Sequence, residues 1–135
     1  MTQPIRVLLA DDEVVFAESL AKVLRKRGLL VELAHDGAAA LAAVAQQEFD
    51  VIVLDVRMPV SDGISTLRGI RTRDRLTPVL MLSGHADLGR TAEALQAGAT
   101  DFLLKPCDLE LLHAALVDAA ERKHYAVAMA AQQRE

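Results

Sequence analysis

Four short apolar runs in this chain end on residues able to do chemistry. VLLA at 7–10 is followed by Asp11 and Asp12, VIVL at 51–54 by Asp55, VLML at 79–82 by Ser83, and FLL at 102–104 by Lys105. A carboxylate at the end of a buried run is costly to keep unless its charge is needed there. If these ends meet, Asp11, Asp12 and Asp55 crowd one another, and their repulsion calls for compensation. A hard divalent cation is the natural choice. Mg²⁺ takes a few carboxylate oxygens, retained waters and phosphate oxygens in octahedral geometry. Lys105 adds a second positive charge and Ser83 a hydroxyl donor. Together these groups suit a phosphoryl group being placed on, or taken from, an oxygen of Asp55. The cation and lysine would neutralise the equatorial oxygens and leave an in-line position for the donor or for water.

Taken singly, each residue has an ordinary explanation. Asp11 and Asp12 could cap a helix, Ser83 could be a loop hydroxyl, and Lys105 before Pro106 could be a solvated lysine at a turn. The argument rests on their joint placement at the strand ends, so the elements must bring those ends together.

The apolar runs are too short for helices and rich in Val, Leu and Ile, as in parallel strands covered on both faces. A fifth run, LVELA at 30–34, alternates at Glu32 and predicts a half-exposed edge strand. Helical patterns lie between them. The first carries Phe16, Leu20, Val23, Leu24 and Arg27 at helical spacing and stops at Gly28. The second spans about Asp36 to Gln47, the third about Ser61 to Thr72, and the fourth about Asp87 to Ala97. The last starts at Asp108 as N-cap, with Leu109, Leu112, Leu116 and Ala119 on one face. Alternation of strand and helix five times predicts a flavodoxin-like, doubly wound α/β fold. Its five-stranded parallel sheet has order 2-1-3-4-5, with helices on both faces. In such a sheet the crevice beyond the carboxyl ends of the strands, at the switch between the first and third, is the ligand site. That is where the acidic residues fall.

Composition agrees with one domain built this way. The chain has 135 residues, 52% of them apolar but only 3% aromatic, so the core must be aliphatic and Ala-rich. A net charge of -4 gives no electrostatic footprint for nucleic acid. No apolar run approaches the roughly 20 residues needed to cross a bilayer. Cys107 is the sole cysteine and cannot form an internal disulfide, so the expected compartment is reducing and cytoplasmic.

At the level of motifs, IRVLLADDE, VIVLDVRMPVSDG, PVLMLSGHAD and EALQAGATDFLLKP resemble the receiver domain of two-component response regulators over about residues 5–122. The resemblance implies that Asp55 accepts a phosphoryl group from a sensor histidine kinase or phosphotransfer protein. It implies Mg²⁺ bound by Asp12, Asp55 and the backbone carbonyl of Arg57, with Asp11 acting through water. Lys105 would contact the phosphate, Ser83 would be the switch hydroxyl and Phe102 an aromatic rotamer switch. Lys105-Pro106 would be a cis peptide. Arg57 and His85 would tune the lifetime of the phosphoryl group. Such a protein is a phosphoacceptor switch rather than an enzyme, its only chemistry being self-catalysed phosphotransfer and dephosphorylation. The readout face would be the fourth helix, fifth strand and fifth helix, a candidate homodimer or partner surface. Residues 1–122 would form the domain and 123–135 a helical extension or a linker to an effector; no nucleic-acid or membrane contact is expected of this segment. Two positions depart from the commonest pattern: Phe102 replaces a frequent tyrosine, and Cys107 a frequent phenylalanine. Cys107 is expected to act as a small buried hydrophobe, and His35, His113 and His124 as surface residues.

Other chemistries fit less well. A phosphatase of the haloacid dehalogenase type wants a second aspartate two residues after its nucleophile, and here Asp55 is followed by Val56 and Arg57. A flavin carrier of the same fold wants a phosphate-cradling loop after the first strand, where Asp11, Asp12 and Glu13 stand instead. A degenerate receiver used only for docking would not keep the full acidic set with Ser83 and Lys105.

Overall fold

The computed structural model describes residues 3–59 and 61–133. Five strands, β1 (Arg6–Ala10), β2 (Leu30–Ala34), β3 (Val51–Asp55), β4 (Val79–Ser83) and β5 (Asp101–Leu104), alternate with α1 (Val14–Lys26), α2 (Gly37–Gln46), α3 (Gly63–Arg71), α4 (Thr91–Gln96) and α5 (Leu109–Gln133). Every strand pair is parallel and the order is β2-β1-β3-β4-β5, as expected.

The continuous apolar strands feed two cores, because successive side chains face opposite sides of the sheet. Leu8, Ile52, Leu54 and Met81 pack on the side of α2, α3 and α4. Val7, Leu9, Val51, Val53, Leu80 and Leu82 pack against α1 and α5. The two edges are thinner. β2 alternates in burial as its Glu32 predicted, whereas β5, expected to be covered on both faces, has no fully buried residue. As an edge strand, it has the short α4 over one face only in part.

The helices differ from the sequence expectations in three places, one in burial and two in limits. α1 buries Ala17, Ala21 and Leu24, while Val23 is exposed and Phe16 and Leu20 are half-buried. Small alanines let the helix approach the sheet closely, so the buried stripe lies one residue round from the bulky one. α3 begins at Gly63 rather than Ser61, because the Asp62 carboxylate accepts the Ser65 N–H at 2.8 Å and caps it. The fourth helix is divided: His85–Arg90 is a 3-10 helix and only Thr91–Gln96 is α-helical. Gly89 weakens α-helix there, and ion pairs hold the segment across the site, as described below. α5 follows its expected cap, with Asp108 accepting the Leu111 N–H at 3.1 Å, and runs unbroken through residue 122.

Candidate functional site

At the carboxyl ends of the strands, register places Ala10 beside Leu54, and Asp55 beside Leu82. Asp11 and Asp55 therefore emerge from adjacent central strands. Carboxylate oxygens of Asp11, Asp12 and Asp55 lie within 4.8 Å of one another. Asp11 and Asp55 are buried, and Asp12 is exposed. Asp11 is held from several directions: its Oδ1 accepts the Glu13 N–H at 2.9 Å and its backbone carbonyl meets His35 Nδ1 at 3.0 Å. His35 is thus half-buried behind the site rather than a free surface residue.

The β5–α5 turn carries Lys105 into this group, and the Lys105–Pro106 peptide is cis. Lys105 Nζ lies 2.7 Å from Asp11 Oδ2, 3.0 Å from Glu13 Oε1 and 3.4 Å from Asp55 Oδ2. It also stands 4.7 Å from the centroid of the Phe16 ring. Its contact with Asp11 Oδ2 is an ion pair by distance but out of line for a hydrogen bond, so that buried oxygen has no hydrogen-bond partner. Burial pushes the Asp55 carboxyl up to about 7, helped by the charge of Asp11 and opposed by Lys105 and the Arg57 N–H. Burial works against the Lys105 charge, but its close contacts with the Asp11 and Glu13 carboxylates and the charge of Asp55 outweigh it and raise the ammonium pKa.

Close packing fixes where Asp55 sits. Gly63 opens α3 directly against it, and a Cβ on Gly63 would stand 2.1 Å from the Asp55 carbonyl oxygen. The Gly63 N–H donates to the Val56 carbonyl at 2.8 Å. Only glycine allows the helix start to approach this closely.

Asp55, Lys105, Arg57 and Asp87 border a cleft of about 360 Å³ with Asp12 and Glu13. Arg57 donates its N–H to Asp55 Oδ1 at 3.3 Å, and its Nε donates to Asp87 Oδ2 at 2.8 Å. Ser83 is buried at the end of β4, with its hydroxyl donating to the Gly84 carbonyl at 2.9 Å. Phe102 is half-buried and packs on the α2–α3–α4 side. Cys107 is only partly buried, against the other core, and burial raises its thiol pKa. The side chain of His85 lies outside the described residues.

The structure therefore brings together Asp11, Asp12, Asp55 and Lys105, with Ser83 at the end of the adjacent strand β4, while Phe102 lies lower on the edge strand β5, in register with Met81. Glu13, Phe16 and Asp87 were not singled out from sequence. Asp87 read there as a helix start, Phe16 as a residue of the first helix, and Glu13 only as one more carboxylate after the first strand. The donor set fits a hard divalent cation: it is all oxygen, it is crowded, and one buried carboxylate oxygen is short of a hydrogen bond.

A family model described as "Response regulator receiver domain" matches residues 7–117. The chain is 38% identical over 120 residues to the transcriptional regulatory protein ZraR of Escherichia coli, covering 89% of this chain and 27% of that protein. It is 39% identical over 109 residues to the response regulator protein PmrA of Pseudomonas aeruginosa, covering 81% of this chain and 49% of the other. The chain thus spans between about a quarter and a half of these relatives. Among solved structures, the receiver domain of Francisella response regulator 1452 aligns with TM-score 0.81 at 33% identity, covering 87% of this chain and 98% of that one. NtrX from Brucella abortus aligns with TM-score 0.87 at 29% identity, covering 94% and 29%.

Proposed function

Because the chain belongs to the response regulator receiver family, a family of phosphoacceptor switches, we propose that Asp55 is its phosphoacceptor. The observation that carries this reading is the convergence of Asp11, Asp12 and Asp55 within 4.8 Å, with Lys105 Nζ 3.4 Å from Asp55.

The donor is a phosphohistidine on a sensor kinase or phosphotransfer protein. A carboxylate oxygen of Asp55 attacks phosphorus, the new P–O bond forms as the P–N bond breaks, and the imidazole leaves and takes up a proton. Asp12, Asp55 and the Arg57 carbonyl would hold Mg²⁺ directly, with Asp11 through water, and the bound ion would supply positive charge for the equatorial phosphoryl oxygens. Lys105 gives a phosphoryl oxygen an ammonium partner, after leaving Glu13 and Asp11 at least in part. Asp11 is buried and pinned, so it keeps the carboxylate group in register while Asp55 reacts. Later attack of water on phosphorus returns Asp55 and inorganic phosphate.

Ser83 and Phe102 form the switch. Turning the Ser83 hydroxyl from the Gly84 carbonyl to a phosphoryl oxygen exchanges a neutral hydrogen bond for a charge-assisted one. Such a bond is worth roughly 1.5–3 kcal/mol, about a 10- to 150-fold population shift. Phe102 occupies the space this movement frees, and α4, β5 and α5 carry the change to a partner or a second copy. Arg57 and His85 set the phosphoryl lifetime. The receiver unit ends near residue 122 and the remainder of α5 connects it to an effector, in a cytoplasmic protein.

The direct test is intact mass after incubation with acetyl phosphate, with and without Mg²⁺. One added phosphoryl group is expected with Mg²⁺ only, and none in Asp55→Asn. An adduct that survives in Asp55→Asn, or none in the wild type with Mg²⁺ present, would sink this assignment.

A further inference from the structure

Two of the residues that border the cleft, 30 apart in sequence, form an ion pair. Arg57 Nε donates to Asp87 Oδ2 at 2.8 Å. The partners are unequal, since the Arg57 side chain is 71% exposed and that of Asp87 11%. Asp87 is thus a buried anchor holding a long and largely exposed arginine. Only Nε is engaged; among the described residues the terminal nitrogens of Arg57 make no hydrogen bond. Both side chains border the same cleft as Asp55.

The segment that carries Asp87 is itself tied down. His85–Arg90 is a 3-10 helix of six residues, longer than such helices usually run. It contains Gly89, follows Gly84, and neither glycine has an atom within 4 Å of where a Cβ would be. It is held to the β3–α3 connection at both ends by pairs of opposite sense. Arg57 reaches Asp87 near its start, and Arg90 at its end reaches Asp62 Oδ2 at 3.1 Å. Asp62 also caps α3, so the two segments bordering the cleft are fixed relative to each other.

We propose that Asp87 is a positioning residue for phosphoryl transfer to Asp55: it anchors Arg57 through Nε so that the two terminal nitrogens of the guanidinium are presented to the phosphoryl oxygens. This rests on reading Asp55 as the phosphoacceptor. An arginine planted at one end loses less freedom when it meets an anion than one swinging in solvent, and its planar fork suits phosphate oxygens. Placed between the phosphoryl group and the Asp87 carboxylate, the guanidinium also masks one anion from the other. Without it, Asp87 would be an unpaired buried carboxylate beside an incoming phosphate.

That last point gives the test its sign. Removing Arg57 leaves the buried Asp87 carboxylate uncompensated, so the singles and the double need not add. Initial rates of phosphorylation by acetyl phosphate at saturating Mg²⁺ are to be measured for wild type, Asp87→Asn, Arg57→Ala and the double variant. Asp87→Asn, close in shape and still a hydrogen-bond acceptor, is expected to slow the reaction about two- to fivefold, the scale of one partly exposed ion pair. Arg57→Ala is expected to slow it at least about tenfold, because it loses a charge-assisted contact and exposes the phosphate to Asp87. The double variant is expected to be faster than Arg57→Ala. Thermal midpoints of all four proteins are measured alongside, and folded variants showing this order support the proposal.

A double variant as slow as Arg57→Ala or slower, or Asp87→Asn at the wild-type rate, would overturn it. A purely structural Asp87 predicts such an outcome, since two lesions in one cleft cannot restore a rate that one has lost. Absence of any phosphoryl group on the wild type is a different result: it removes the Asp55 assignment itself, and the positioning role with it.

Discussion

Asp55 is a carboxylate kept where its charge is unwelcome until something compensates it. Burial and the neighbouring Asp11 push it up to about 7, against an ordinary value of 3.8. The folded chain therefore holds a proton that the unfolded chain has already released. Its stabilising contribution is complete below about pH 4 and is lost as pH rises through about 7. In EDTA, the wild type is expected to melt lower at about pH 8 than at about pH 5. Asp55→Asn lacks that titration, so it should exceed the wild type at the higher pH by an amount on the order of 2 kcal/mol, or several degrees. The gap should shrink toward about pH 5, and Mg²⁺ should narrow it at the higher pH by binding only the folded carboxylates. Parallel midpoint–pH curves for the two proteins would show that Asp55 carries no such strain. Asp55 could be found in the sequence because an apolar run stopped on it. Glu13, 92 residues from Lys105, and Asp87, 30 from Arg57, could not. Their partners are set by how long side chains cross a cleft, which no local pattern encodes.

Elements place these residues through contacts as tight as any in the core. The start of α3 abuts the last residue of β3, and Gly63 is the point of contact. Gly63→Ala would put a methyl into the Asp55 carbonyl, and the backbone rather than a flexible side chain would have to yield. A loss of about 1–3 kcal/mol is expected from overpacking alone, with weaker Mg²⁺ binding because Asp55 and the Arg57 carbonyl shift together. Urea unfolding and a Mg²⁺ titration check both parts; unchanged Mg²⁺ affinity would mean that α3 moved and the acidic site did not. Strand order and most strand limits were legible, since buried parallel strands advertise themselves as unbroken apolar runs. The α1 stripe was less so, because Ala17 and Ala21 are weak signals beside Phe16 and Val23. The 3-10 segment was illegible for a related reason: Asp87 looked like a helix start, whereas its carboxylate serves Arg57.

At the scale of the whole molecule, the acidic site occupies one end of the sheet and α5 closes the other. Beyond residue 122 the helix does not leave the body at once. Lys123 Nζ donates to the Phe49 carbonyl at 2.5 Å, and His124 Nε2 pairs with Asp50 Oδ1 at 2.6 Å. Asp50 also accepts the Arg6 N–H at 2.7 Å, so the base of β1, the entry to β3 and α5 are joined by one carboxylate. Tyr125, Val127 and Met129 beyond this point are exposed. The first turn of the extension therefore packs back on the body of the molecule. A chain ending at Arg122 should lose about 1–3 kcal/mol relative to one ending at Ala126, from two hydrogen bonds near or to charged groups. Both should bind Mg²⁺ as the full chain does, because the site is at the opposite end of the strands. Denaturant midpoints for the two truncations, each with a Mg²⁺ titration, separate the possibilities. Equal midpoints would place the end of the packed unit at residue 122 after all. A change in Mg²⁺ affinity on shortening α5 would instead show that the base and the acidic cleft are coupled through the sheet.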